Sequence, residues 1–242
     1  MKKCVMFDFD DTLYNFTYAL KMSLFNMVRY GHISKSDTIS FFMDIKNYNI
    51  TTFKNINAEE VQNGNFIVNN AFLLCAFDYY NIFCTIAKKY TNYIITENEF
   101  NNCFLEHCSL SDGTKEILLY LRERGIKTVI ISDGLLRDKV KVLNYLRIYE
   151  LFDSIITSEE ALSLKPSEKY FELVRQKYEF NNCDYLYIGN HISDYIFAQR
   201  CNIEFRLYNP DDSFANIKKT ADIKNINALM EIIPLIETSE ML

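Results

Sequence analysis

Three carboxylates fall within four residues near the start of the chain. Asp8, Asp10 and Asp11 follow directly on the apolar run Cys4-Val5-Met6-Phe7, and Thr12 comes next. Residues 4–8 read as a buried parallel-type strand. Residues two apart on a strand point the same way, so Asp8 and Asp10 share one side if the strand persists that far. Open α/β sheets hold their ligand crevice just past the C-terminal ends of the strands. Acids crowded there repel one another and gain little from a core, so the stretch asks for a cation.

Other polar groups follow the later apolar runs. Ser132-Asp133-Gly134 ends the run at Lys127–Ile131. Lys165-Pro166 comes a few residues after the run at Phe152–Thr157, and Gly189-Asn190-His191-Ile192-Ser193-Asp194 closes the run at Tyr185–Gly189. Taken singly, Ser132-Asp133-Gly134 is an ordinary turn sequence and Lys165-Pro166 a plain approach to a helix. Taken together, in order and at strand ends, they can be collected by one crevice.

The elements that must position them are legible from periodicity. Strands are expected at 4–8, 127–131, 152–157, 185–189 and 203–208. Helices are expected at 114–124, 136–146, 167–178, 193–201 and 228–236, with Gly125 closing the first as a C′ glycine and Ser167 as N-cap of the third. Strands alternating with helices imply βαβ units, hence a parallel sheet with helices on both faces. Between the first strand and the rest, Phe16–Tyr30, Asp37–Tyr48, Phe66–Tyr90 and Glu97–Cys108 are helical in character. Phe66–Tyr90 is either one long helix or two abutting ones. The block is an insertion into the α/β domain, so the expected division is residues 1–15 and 112–242 as the α/β core and 16–111 as an all-helical domain inserted after the first strand.

These motifs, in this order and on these elements, resemble the haloacid dehalogenase (HAD) superfamily over the whole chain. The matching features are Asp8-x-Asp10-x-Thr12, the strand ending in Ser132, the Lys165-Pro166 pair and a degenerate form of the final acidic motif. The resemblance implies a Rossmann-like doubly wound core with a helical C1-type cap. It also implies a phosphatase that acts on a small phosphorylated metabolite of the nucleotide or sugar phosphate class. Asp8 would be the nucleophile, forming an aspartyl-phosphate, and Asp10 the general acid and then base. Ser132, with the backbone N–H groups of Asp133 and Gly134, would bind the phosphoryl oxygens, and Lys165 would balance charge. Mg2+ would be held by Asp8, the backbone carbonyl of Asp10, and Asp194 or Asn190. An acid at position 10 points to phosphate esters, since dehalogenases typically lack it. Asn190 stands where the pattern has an acid, which implies weaker magnesium binding. It also keeps alive a rival reading as a weak or inactive HAD-fold binding protein; a phosphomutase would use the same residues.

A cap closing over the crevice would exclude macromolecular substrates, with hinges near 14–17 and 109–113. Tyr14, Asn15, Phe16, Lys46, Asn47, Tyr48 and Lys54 are cap residues that could face the site. The net charge of −6 argues against nucleic acid as a partner. Seven scattered cysteines without CxxC spacing read as thiols of a reducing compartment. Asp8 breaks the N-terminal apolar run, so no signal peptide is expected, and no apolar stretch is long enough for a membrane span. A cytoplasmic location follows as an expectation, and the oligomeric state is left open. Cys103 and His107 lie one helical turn apart, but packing is the expected role of both.

Overall fold

The computed structural model describes residues 2–29, 32–54, 58–210 and 223–237, with the side chains of 49–54, 58 and 62 left out. Its centre is β1 (Cys4–Phe7), flanked by β2 (Lys127–Ser132) and β4 (Tyr185–Gly189); β3 (Ser154–Thr157), β5 (Glu204–Tyr208) and β6 (Asn225–Ile226) complete the sheet. The six strands among the described residues run in the order β3-β2-β1-β4-β5-β6, every pair parallel. This is the expected α/β, Rossmann-like core. Side chains alternate across β1 as a two-residue period demands. Val5 and Phe7 pack with Ile117, Leu118, Leu121 and Ile188 on one face. Cys4 and Met6 pack with Val129, Ile131, Tyr187 and Phe197 on the other.

Six helices lie between β1 and β2 among the described residues. They are α1 (Phe16–Arg29), α2 (Thr38–Lys54), α3 (Ala58–Gln62), α4 (Asn70–Phe77), α5 (Tyr79–Ala87) and α6 (Glu97–Leu105). α1, α2, α5 and α6 share a core, with Leu24, Met27, Phe41, Phe83, Ile86 and Phe100 buried together, while Leu73 of α4 is buried with Val68, Leu135 and Leu164. The apolar stretch at 66–90 forms two helices because Asp78 intervenes. Its side chain accepts from the Asn81 N–H at 3.0 Å and caps α5, which ends α4 one residue earlier. In α6, Thr96 and Glu99 form a reciprocal capping box. Among the described residues no single helix is long and apolar enough to cross a membrane. The pair α4 and α5 passes that test together but is bent by 63°, and Leu73, Ile82, Phe83 and Ile86 of that pair are buried in the protein itself.

The chain passes between the helical block and the sheet at two adjacent segments. Ser111 N–H donates to Leu13 O at 3.0 Å, Asn15 N–H to Ser109 O at 3.2 Å, and the Asn15 side chain accepts from Ser109 N–H at 2.8 Å. The later elements are α7 (Thr114–Glu123), α8 (Leu136–Tyr145), α9 (Ser158–Ala161), α10 (Lys169–Lys177) and α11 (Ile192–Arg200). Gly125, at φ +65°, follows α7 as expected. Several boundaries depart from the sequence reading: β3 begins two residues late, α2 runs on past residue 48 to Lys54, and α6 ends at Leu105 rather than Cys108. The helix expected from Ser167 begins at Lys169, with Glu168 rather than Ser167 at its N-cap. The final helix is split into a 3-10 turn, Leu229–Ile232, and a short α-helix, Ile233–Glu237. The two-residue β6 is too short for periodicity to reveal.

Candidate active site

The parallel register sets Phe7 of β1 abreast of Ile130 of β2 and Ile188 of β4. The next residues of all three strands therefore emerge at one edge of the sheet. Asp8 N–H donates to Ile188 O at 2.8 Å, which continues the ladder one step beyond β1. Its side chain is only 7% exposed. Thr12 Oγ1 donates to Asp8 Oδ2 at 3.1 Å, and Lys165 Nζ donates to Asp8 Oδ1 at 2.6 Å. Lys165 Nζ also reaches Asp194 Oδ1 at 2.6 Å, so one buried ammonium bridges two carboxylates. Burial pushes the Asp8 carboxyl up to about 7; Lys165 opposes this, and the Asp194 and Asp10 charges add to it. Burial works against the Lys165 charge too, but the Asp194 and Asp8 carboxylates outweigh it and hold its pKa well above the ordinary lysine value.

Asp10 faces outward from the same turn, with its side chain 26% exposed. Tyr14 OH donates to Asp10 Oδ1 at 2.9 Å, and Lys139 Nζ pairs with Asp10 Oδ2. Asp11, read as part of a solvated turn, is half-buried just before α1 and accepts from Thr17 N–H at 2.8 Å. Ser132 is buried at the end of β2, its hydroxyl on the carbonyl of Asp133 at 3.2 Å.

Three of the residues named from the sequence have partners inside the protein. The Asp133 carboxylate is engaged within the protein. It accepts from Tyr170 OH at 2.6 Å and from Lys165 N–H at 3.0 Å, and so anchors the loop that carries Lys165. The Gly134 N–H, expected to meet phosphoryl oxygens, donates to Ser158 Oγ at 3.1 Å. Asp194, expected as a metal ligand, is fully buried with both oxygens engaged. Lys165 and Tyr187 OH, the latter at 2.8 Å, hold Oδ1, and His191 N–H holds Oδ2 at 2.9 Å. Asp194 is thus an anchor for Lys165. It packs directly on Gly189, where a β-carbon would lie 2.5 Å from the Asp194 carboxyl carbon. Glycine at 189 is required by that close approach.

Asn190 is half-buried, and its amide makes no hydrogen bond to another described residue. His191 is exposed, caps α11, and its ring pairs with Ser193 Oγ at 2.9 Å. Cys103 and His107 go to separate partners, Ser23 O at 3.6 Å and Asn26 Nδ2 at 2.7 Å. Among the described residues, no three His, Cys, Asp or Glu side chains are gathered into a ready-made metal cage. Of the residues named from the sequence, the Asp8 carboxylate and the Asn190 amide carry oxygens of the kind a hard cation takes.

The helical block and α8 enclose a cavity of about 50 Å3 that opens to solvent, lined in part by Tyr14 and Lys139, the two partners of Asp10. Tyr14, Phe16, Tyr79 and Phe104 line one side, and Arg137, Lys139 and Lys141 the other. Two ion pairs join its walls: Arg137 to Asp78 at 2.5 Å and Lys141 to Glu97 at 3.7 Å. Of the expected cap contacts, Tyr14 and Phe16 line this cavity, while Asn15 clasps the linker. Lys46 and Asn47 are exposed, Tyr48 packs in the helical core, and the side chain of Lys54 lies outside the described residues.

Lys139 and Tyr187 were not singled out from the sequence. Lys139 gives a signal that could have found it. Lys139, Val142, Leu143 and Leu146 fall at helical spacing on the inward face of α8, a position where a lysine needs a buried partner. Tyr187 gives none, because a tyrosine in a buried strand reads as core.

The chain matches the haloacid dehalogenase-like hydrolase family over residues 5–207, most of its length, and belongs to that family. A glyceraldehyde 3-phosphate phosphatase of Methanocaldococcus jannaschii is 26% identical over 198 residues, covering 79% of this chain and 78% of that protein. Among solved structures, a HAD-hydrolase of Bacillus subtilis bound to magnesium is similar with a TM-score of 0.69 at 19% identity, covering 97% of this chain and 98% of that one. A HAD phosphatase of Thermococcus onnurineus has a TM-score of 0.67 at 18% identity, covering 98% of each chain. An L-2-haloacid dehalogenase of Xanthobacter autotrophicus has a TM-score of 0.64 at 12% identity, covering 100% of each. These structural likenesses concern the fold, which phosphatases and dehalogenases share. The chain is a HAD-superfamily hydrolase.

Proposed function

We propose that this hydrolase is a magnesium-dependent phosphatase of a small phosphorylated metabolite, in the sugar phosphate or nucleotide class. The observation that carries the reading is the pair of acids at the end of β1. Asp8 is buried against Lys165 and Thr12, while Asp10, two residues on, is 26% exposed and is held by Tyr14 and Lys139, both of which line the neighbouring cavity. A carboxylate attacking phosphorus needs an acid beside it to protonate a departing alkoxide. The M. jannaschii relative, by its name a sugar phosphate phosphatase, supports the substrate class.

The charges fit a divalent cation. The carboxylates of Asp8, Asp10 and Asp194 stand against the ammoniums of Lys139 and Lys165, which leaves one negative charge before any phosphate arrives. A phosphate dianion would add two more in a buried crevice. Asp8, the Asp10 carbonyl and the Asn190 amide would hold the ion. When bound, Mg2+ would draw charge from the phosphoryl oxygens. In the proposed reaction Asp8 attacks phosphorus and the P–O bond to the leaving group breaks. Asp10 gives the leaving oxygen its proton. Asp10 then takes a proton from water, which attacks the aspartyl-phosphate, frees phosphate and restores Asp8. Lys165 offsets charge on Asp8 and the phosphoryl group, and Ser132 donates to a phosphoryl oxygen.

We assign residues 1–15 and 112–242 to the core and 16–111 to the cap, with the leaving group in the cavity between them. Asn190 motivates a second reading, a weakly active or inactive protein that binds phosphorylated ligands. The test is phosphate release from p-nitrophenyl phosphate and a panel of sugar phosphates and nucleotides, with Mg2+ and with EDTA. Metal-dependent turnover abolished by Asp8→Asn is expected. Its absence on every compound sinks the phosphatase reading. Asn190→Asp should tighten Mg2+ binding at least several-fold, and an unchanged affinity removes Asn190 from the metal site.

A further inference from the structure

We infer that Lys139 is a positioning residue that holds Asp10 in place for proton transfer to the leaving group. The inference rests on the phosphatase reading. Lys139 lies in the first turn of α8, where the helix dipole disfavours a cation. Its side chain is 8% exposed, and Asp10 is its one ion-pair partner among the described residues. A buried ammonium with a single carboxylate partner is costly to keep unless that partner stays in place. The surroundings make room for it. A β-carbon on Gly134 would lie 3.5 Å from Lys139 Cε and 3.6 Å from Nζ, at ordinary contact distance, so the end of the lysine lies against this turn. The ammonium also stands 5.6 Å from the centre of the Phe9 ring.

Tyr14 completes the clamp. It donates to the other Asp10 oxygen at 2.9 Å and is itself 2% exposed. Two buried donors from separate elements therefore grip the two oxygens of one carboxylate. That fixes the plane of the carboxyl group, while each oxygen keeps a further lone-pair direction for a proton. Lys139 and Tyr14 also line the cavity between the helical block and α8. The clamp thus ties the orientation of Asp10 to the wall where the leaving group would lie. An acid held at a fixed angle gains over one that must find its orientation at each turnover.

A leaving-group comparison separates positioning from mere stability. p-Nitrophenolate departs without a proton, whereas an alkoxide requires one. Lys139→Met and Lys139→Gln in the full chain are assayed on p-nitrophenyl phosphate and on the best alkyl phosphate of the wild-type panel. On the alkyl phosphate kcat/KM, which covers only the steps up to departure of the leaving group, should fall on the order of 100-fold. On p-nitrophenyl phosphate kcat/KM should fall no more than a few-fold, whatever happens to the later hydrolysis of the aspartyl-phosphate in which Asp10 also takes part. Equal losses on both substrates, or none on either, overturn the inference. A crystal structure of either variant reads the position directly. Displacement of the Asp10 carboxylate from Tyr14 is expected, and an unmoved Asp10 overturns the inference even if the wild type proves inactive. Loss of p-nitrophenyl phosphate turnover on Asp8→Asn, with equal Lys139 effects, would sink the inference and leave the phosphatase reading standing.

Discussion

The Lys165 ammonium lies 2.6 Å from Asp8 Oδ1, at the buried end of the central strand. The same nitrogen is 2.6 Å from Asp194 Oδ1, so the cation called for by the crowded acids is in part supplied by the protein itself. Asp10 has its own lysine in Lys139.

Removing Lys165 leaves two buried carboxylates facing each other. Lys165→Met should cost about 3–5 kcal/mol of stability, the usual effect of stranding one side of a buried ion pair. Adding Asp194→Asn should recover much of that loss, because one stranded charge disappears. Chemical denaturation of the two single variants and the double variant measures the coupling. Strictly additive effects would mean that the bridge carries no energy.

Gly189→Ala probes the close approach between β4 and α11. A β-carbon there meets the Asp194 carboxyl group at 2.5 Å and its Cβ at 2.6 Å, and Asp194 is fully buried with nowhere to retreat. The expected loss is about 1–3 kcal/mol, with activity lowered more than stability because Lys165 loses its anchor. Thermal unfolding and kcat at a temperature where the variant is fully folded check both halves. A variant as active as wild type would dissociate Asp194 from the site.

The pH dependence of metal binding follows from Asp8. Burial, opposed by Lys165 and reinforced by Asp194 and Asp10, pushes its carboxyl up to about 7. A cation takes the deprotonated form, so it competes with a proton below that value. Because the folded pKa is raised, the metal-free protein loses stability from this group as pH rises from the ordinary carboxylate value toward 7, and added metal offsets that loss. Mg2+ affinity should rise about tenfold between pH 6 and pH 8, with close to one proton released per ion near pH 6. Calorimetry in two buffers of different ionisation enthalpy reads both. A flat affinity across that interval would remove Asp8 from the metal site.

Much of the fold was legible because it is carried by local patterning. β4 emerged with the expected bounds, Tyr185–Gly189, and β1 and β2 each within one residue, since buried strands read as short apolar runs closed by polar residues. The insertion of the helical block followed from the change of period after Asp8. The split at Asp78 and the late start of α10 were hidden because both depend on which of several polar side chains wins a local backbone donor.

By itself the sequence determined which chemical groups stand at the strand ends: Asp8, Asp10, Ser132, Lys165, Asn190 and Asp194 on a parallel α/β frame. Only the tertiary structure decided who pairs with whom. Lys165 meets Asp8 across 157 positions and Lys139 meets Asp10 across 129. It set Asp194 against Lys165 and the Asp133 carboxylate against the Lys165 backbone, and brought Tyr187 and Lys139 to the acids. The reason is physical. Periodicity records which way a side chain faces along its own element, but a buried charge is satisfied by whatever the packing of separate elements brings within hydrogen-bond reach.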